Sequence, residues 1–148
     1  MKHRLLAFLM IISFAFGMAQ QEASAGPIKS AKCVFEGGTE HFFDDGKLTY
    51  SVSRVKDKFE LTFDRLDAKD GKGRIVGNNG SGDVIVTNGD YVINILEFTP
   101  VGNMNITTID TMNINHGVKA PSVTSRHVSS GSALLPSQRV GHCQVFTI

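Results

Sequence analysis

Apolar and polar residues alternate along much of the chain, with the period of a half-buried β-strand. Residues 58–64 and 103–108 alternate cleanly. Residues 84–86 and 91–96 are β-branched runs that are apolar on both faces, as central strands tend to be. No stretch after residue 26 carries the apolar stripe of an amphipathic helix, so we predict an all-β chain. Weaker strand candidates lie at residues 32–36, 47–52, 74–76, 123–129 and 140–146.

Turn-forming residues separate nearly all of these segments. Asp-Gly or Asn-Gly pairs occur at residues 45–46, 70–71, 79–80 and 88–89, and a Pro-Val-Gly-Asn sequence follows at residues 100–103. Such pairs supply the positive φ angles that short hairpin turns require. The chain therefore predicts eight or nine short antiparallel strands joined in sequential hairpins.

The first 25 residues have the pattern of a secretory signal peptide. A basic start is followed by an uncharged apolar run at residues 5–16, and small residues end at Ala19 or Ala25, which both fit a cleavage site. We predict removal of residues 1–25, with cleavage after residue 19 as the alternative. The remaining chain, residues 26–148, is then a single secreted domain in the periplasm or outside the cell. No apolar run reaches about 18 residues, so no transmembrane helix is expected after cleavage.

Composition narrows the class of protein further. The chain has 148 residues, of which 41% are hydrophobic and 20% charged, and this balance indicates one globular domain rather than a disordered chain. Its formal net charge of +1 argues against a nucleic-acid-binding protein, in which Lys and Arg would be in excess.

The chain has only two cysteines, Cys33 and Cys143, near the two ends of the predicted domain. Export places them in an oxidising compartment, so we predict a disulfide between them. Closing a loop of about 110 residues should stabilise the fold by roughly 4–5 kcal/mol in the chain-entropy model. Such a bridge also holds the first and last strands within about 7 Å at their Cα atoms. We therefore favour a small meander closing into a barrel-like domain over the alternative, a two-sheet β-sandwich.

Two histidines are weak candidates for metal binding. His127 and His142 lie on predicted consecutive strands, and they would face each other if the hairpin were centred at residues 134–135. His41 or His116 could then supply a third zinc or copper ligand. A slip of one residue would move one imidazole to the other face. We favour structural or surface histidines and assign no metal site.

Other polar clusters have simpler explanations than ligand binding. The spacing of Asp64, Asp67 and Asp70 does not match an EF-hand calcium loop, and it fits a strand end followed by a polar turn. Glycine-rich residues 71–73 and 77–82 precede no helix, so they fit hairpin turns rather than a phosphate-binding loop.

A nucleophilic active site is not evident either. Ser125 and His127 lie two residues apart on one predicted strand, and Asp110 is the only carboxylate in residues 98–148. Hydrolytic triads need a nucleophile beside a histidine that a carboxylate orients. We assign no catalytic or cofactor-binding residue and predict that the protein is not an enzyme.

Two stretches resemble known exported proteins. Ser-Arg-His at residues 125–127, Leu-Pro-Ser-Gln at 135–138 and Gly-His-Cys at 141–143 resemble the C-terminal part of small exported bacterial proteins of unassigned function. That likeness covers about the last third of the chain, and it implies a secreted β-domain but no activity. Cys-Val-Phe-Glu-Gly at residues 33–37 is similar to the start of the small periplasmic lysozyme inhibitors, although their Ser-Gly-x-x-Tyr segment is missing.

Three functional hypotheses follow. The first is a non-catalytic secreted or periplasmic binding module for an unknown protein or cell-envelope partner, with inhibition of an envelope-directed hydrolase as a special case. The second is a carrier of a small apolar ligand inside the barrel. The third is a metal-binding protein that uses His127 and His142. No organic cofactor and no nucleic-acid partner is expected.

Overall fold

The described residues form a closed antiparallel barrel. The computed structural model of the protein describes residues 27–44, 47–77, 80–112, 114, 116–130 and 133–148. Within them lie eight strands: β1 (Ile28–Asp44), β2 (Lys47–Asp67), β3 (Lys72–Gly77), β4 (Gly80–Asn88), β5 (Val92–Phe98), β6 (Met104–Asp110), β7 (Lys119–Ser130) and β8 (Ala133–Thr147). Each strand pairs with the next, and β8 pairs with β1. The predicted barrel is confirmed, whereas the predicted signal peptide lies outside the described residues.

The described residues form eight strands, whereas nine candidate segments were predicted from the sequence. Residues 47–52 and 58–64, expected as separate strands, belong to the single strand β2. No glycine or proline lies between them, so nothing ends the strand. At predicted turns that the structure describes, Gly71 and Gly102 adopt positive φ angles of 69° and 84°, whereas the predicted turn residues 45–46 and 78–79 lie outside the described residues. No described residue belongs to a helix that is long and apolar enough to cross a membrane.

Apolar side chains from all eight strands fill the interior of the barrel. Phe35, Phe63, Leu66, Ile95 and Ile109 are the largest that are almost completely buried. They pack with smaller aliphatic side chains and with the two cysteines. Because an eight-stranded barrel is just wide enough for side chains to fill it, this packing accounts for the alternation seen in the sequence.

A bulge in β2 brings an additional large side chain into this core. The pairing of β2 with β3 shifts between Asp64 and Asp67, and Arg65 has a φ angle of 52°. A residue in this left-handed conformation turns the strand by one position. Leu66 therefore points inward although it lies three residues after the buried Phe63.

The barrel closes where β1 meets β8. Cys33 lies directly opposite Cys143, their Cα atoms are 3.9 Å apart, and the two form the predicted disulfide with no exposed surface. A Cβ atom added to Gly141 would overlap the backbone carbonyl oxygen of Val34 and lie 2.7 Å from Phe35 Cα. The strands can approach this closely only because Gly141 has no side chain.

Candidate binding site

Two hairpins project beyond one end of the barrel. β3 pairs with β2 only from Thr62 to Asp67, and the pairing of β6 with β7 ends at His127. The first hairpin, β1–β2, and the last hairpin, β7–β8, continue past these points, and β1 remains paired with β8 as far as Glu40. We call these projecting parts, residues 37–44, 47–54, 127–130 and 133–140, the extension.

Strand register separates the two faces of the extension. Arg139 belongs to the inner face because its guanidinium carbon lies 5.3 Å from the centre of the Phe59 ring, which in turn packs against the buried Phe35. Since successive side chains alternate, the neighbours of Arg139 lie on the outer face. We call this the extension face, and register places on it Gly37, Thr39, His41, Phe43, Leu48, Tyr50, Val52, Arg54, His127, Ser129, Leu134, Pro136, Gln138 and Val140.

The extension face is apolar and strongly exposed. Val52 is 75% exposed, Tyr50 72%, and Leu134 61%. Tyr50 lies directly opposite His41, with 6.3 Å between the ring centres, and Phe43 lies opposite Leu48. Apart from Arg54, at the end of the face nearest the barrel, none of the residues that define this face is Asp, Glu, Lys or Arg. A contiguous exposed apolar patch of this kind is a feature of interaction sites.

The same hairpin also leaves the edge of β2 open. Within the described part of the chain, β3 pairs with no residue of β2 before Thr62, so the opposite edge of residues 47–61 has no neighbouring strand. Natural proteins usually block such edges with lysines, prolines or bulges. From Leu48 to Val52 this edge carries none of them.

The inner face meets the mouth of the barrel at a polar cluster. Arg126 and Arg139 both lie near Phe59, with guanidinium carbons 5.9 Å and 5.3 Å from the ring centre. Arg139 Nη2 also donates a hydrogen bond of 3.2 Å to Glu40 Oε1. Guanidinium groups at these distances are attracted by the electron-rich face of the ring. The arginines thus cover the mouth and separate the apolar interior from water.

Asn105 extends this cluster to the neighbouring strands. It lies opposite both Glu97 and Arg126, and its Nδ2 donates a hydrogen bond of 2.5 Å to Glu97 Oε2. Deeper in the barrel, the hydroxyls of Thr107 and Thr124 form a buried hydrogen bond of 3.1 Å. The buried polar atoms Asn105 Oδ1 and Arg139 Nε have no partner among the described side chains. The interior thus changes from apolar to polar towards the mouth.

The histidines do not converge. His127 lies opposite Pro136, whereas His142 lies opposite Pro121, because the hairpin is centred between Ser130 and Ala133 rather than at residues 134–135. Pro121, the β7 residue opposite His142, lies six residues before His127 on the same strand, so the two imidazoles are far apart.

The remaining histidine candidates lie elsewhere. His41 stacks beside Tyr50, and His116 Nδ1 lies 3.0 Å from the backbone oxygen of Thr147. In the part of the chain that the structure describes, no group of three or more His, Cys, Asp or Glu side chains could hold a metal ion.

Ser125 and Asp110 are also separated. Ser125 pairs with Ile106 and Gln138, whereas Asp110 pairs with Val92 at the other end of the barrel. The geometry brings no carboxylate of β6 to His127. This arrangement is not that of a Ser-His-Asp triad.

The aspartates of β2 have structural roles. Asp64 accepts two hydrogen bonds from Arg74, at 2.8 Å from Nε and 2.6 Å from Nη2, and this contact lowers the pKa of Asp64. Asp67 Oδ1 accepts the backbone N–H groups of Asp70 and Lys69, which lowers the pKa of Asp67. The expected strand end and polar turn are confirmed.

Sequence reasoning did not identify the extension face, although a signal was present. Leu48, Tyr50 and Val52 alternate with hydroxyl side chains, which predicts one apolar face. Such a pattern normally marks a face that packs on the core. Only the register of the strands shows that this face turns to the outside of the sheet, and the exposure of its side chains shows that no described element covers it.

Comparisons with protein families, curated proteins and solved structures found no match to this chain. The disulfide is consistent with an oxidising extracellular or periplasmic location. The chemistry of its own surfaces is therefore the basis for a functional proposal.

Proposed function

We propose that the protein is an exported, non-catalytic binding module that docks onto a protein partner through the extension face. The observation that carries this proposal is the exposure of Tyr50 and Val52, at 72% and 75%, within an apolar block that also contains Phe43 and Leu48. Both project from the paired strands β1 and β2 beyond the barrel.

The energetics of such a face favour association with a protein. Fully burying an exposed Val or Leu side chain gains about 1.5–3 kcal/mol. Tyrosine is enriched among residues that dominate binding energy, because it offers a large apolar surface with a polar tip. Tyr50 at the centre of the first hairpin, flanked by Leu48 and Val52, has this composition.

The interior offers less support for a carrier. Phe35, Phe63 and Leu66 are at most 1% exposed and occupy the space in which a small apolar ligand would bind. A barrel of this size can either hold one small ligand or be filled by its own side chains. The packing of these residues supports the filled alternative, and therefore supports binding at the outside.

The test is capture by the immobilised, disulfide-bonded protein from extracts of the producing cell envelope. Tyr50→Glu places a carboxylate at the centre of the proposed interface, and we expect it to lose a partner that the wild type retains. Ile85→Glu is the matched control, because Ile85 is 48% exposed on β4, outside the extension face. The proposal would be contradicted if the Tyr50→Glu variant captured the partner as well as the wild type does, or if the Ile85→Glu variant lost the partner to the same extent as Tyr50→Glu.

Hydrolase inhibition is a separate, narrower test. Lysozymes and proteases are assayed with the protein at a large molar excess. Inhibition through this face would be supported if the wild type and Ile85→Glu both lower the activity of an enzyme while Tyr50→Glu leaves that activity unchanged. Full activity of every enzyme would remove inhibition and leave the wider binding proposal standing.

A further inference from the structure

We propose that the occupant of the extension face is a second copy of this chain, which gives a two-fold symmetric dimer with the two faces packed together. This inference rests on the proposed function, because it names the partner that docks there. It is carried by the charge, the area and the shape of the face.

The charge pattern favours a second copy over a foreign protein. Phe43, Leu48, Tyr50 and Val52 form an apolar block without a charged residue, and Arg54 is the one Asp, Glu, Lys or Arg that register places on the face, at the end nearest the barrel. Transient interfaces between different proteins usually place complementary charges that guide the encounter. Interfaces between identical subunits are more apolar and depleted of charge. Two copies of this apolar block can meet without like-charge repulsion.

The net charge of the whole molecule is compatible with this association. The chain has 15 Lys and Arg residues and 14 Asp and Glu residues, a formal net charge of +1. Long-range repulsion between two copies is therefore small. The ion pairs Lys58–Glu36 at 4.0 Å and Lys32–Glu60 at 3.7 Å lie on β1 and β2 towards the barrel body, where they would form a polar rim.

The area of the face fits a small dimer interface. Phe43, Leu48, Tyr50, Val52, Leu134 and Val140 are between 49% and 75% exposed. Large aromatic side chains carry about 150–250 Å² each, so these side chains present roughly 600 Å² of exposed surface per copy. Two copies would bury about 1,200 Å², which is the lower limit for a specific and stable interface.

The shape of the face allows the two copies to pack as sheets. Strands β1 and β2 are paired continuously from residue 37 to residue 44 of β1, which gives a regular pleated surface. Two such surfaces stack about 10 Å apart with interlocking side chains. A two-fold axis through this stack repeats every contact, so that Tyr50 contributes twice to the interface, once from each copy.

The experiment is sedimentation equilibrium of the full disulfide-bonded protein from about 1 μM to 1 mM. We expect the wild type to reach twice the monomer mass within this range. Tyr50→Lys and Val52→Lys should each weaken the dimer by at least about 100-fold, because each change places two lysines in the interface. Ile85→Lys, outside the face, should leave the dissociation constant unchanged. Circular dichroism and intact mass establish that each variant is folded and disulfide-bonded.

Two results would overturn this inference. One is a wild type that remains monomeric at 1 mM, and the other is a dimer that tolerates both lysine substitutions. A monomer that still captures another protein in a manner that depends on Tyr50 would overturn the dimer but leave the proposed function intact. A monomer that captures nothing would overturn both.

Discussion

Loss of the Cys33–Cys143 disulfide should cost this barrel a large part of its stability. The two cysteines are 110 residues apart in sequence, and their bond joins the first strand to the last. Cross-linking a loop of about 100 residues removes conformational entropy from the unfolded chain worth about 4.7 kcal/mol. The double variant Cys33→Ala/Cys143→Ala also leaves space in a site with no exposed surface, which adds about 1 kcal/mol.

The total, about 5–6 kcal/mol, can be compared with the whole stability of a domain, about 5–15 kcal/mol. Urea unfolding followed by circular dichroism should therefore move to a midpoint lower by about 2–3 M. The m-value, which is the dependence of the free energy of unfolding on urea concentration, should rise, because the unfolded chain without the bridge exposes more surface.

If the double variant does not fold, the same quantity can be measured in the wild type. The equilibrium of the disulfide with glutathione is determined in the folded protein and in urea. The ratio of the two equilibrium constants should be about 3 × 10³, which corresponds to the entropic stabilisation of about 4.7 kcal/mol without the cavity. A ratio below about 10, or a double variant within about 1 kcal/mol of the wild type, would refute the entropic explanation.

Two further predictions concern the closure of the barrel and an ion pair on its wall. Gly141→Ala should destabilise the protein by several kcal/mol, because its Cβ would overlap the β1 backbone. The control, Gly82→Ala, should be tolerated, because its Cβ would meet a methyl group at 3.6 Å. Equal midpoints of thermal unfolding for the two variants would contradict this prediction. A double-mutant cycle of Asp64→Asn and Arg74→Gln should give a small favourable coupling at pH 7. Because the folded protein has the lower Asp64 pKa, this coupling is present above the ordinary value of 3.8 and is lost as the pH falls through the folded value; a coupling that does not weaken as the pH is lowered below 3.8 would contradict it.

Much of the fold could be predicted because its signals are local. Alternation in residues 58–64 and 103–108 depends only on which face of a strand is buried. The turns depend on residues that tolerate positive φ, as at Gly71 and Gly102. The disulfide followed from a count of two cysteines together with the expected export.

The candidate site could not be predicted in the same way, because it depends on differences between strands. His127 and His142 were separated because the hairpin is centred on the Ser-Gly-Ser sequence at residues 130–132 rather than at residues 134–135. The outer position of His41 and Phe43 depends on a bulge in β1 between Phe35 and Gly37, which reverses the two faces of that strand.

The sequence alone determined the all-β character, the closing bridge and the absence of a local catalytic motif, since each depends on residue types and short spacings. The tertiary structure decided which apolar face has no cover. Leu48, Tyr50 and Val52 alternate as buried residues would, yet they are exposed because register turns them to the outside of the sheet, where no other described element packs on them. A side chain on a sheet is buried only when another layer packs on its face, and which face turns inward is a property of the whole barrel.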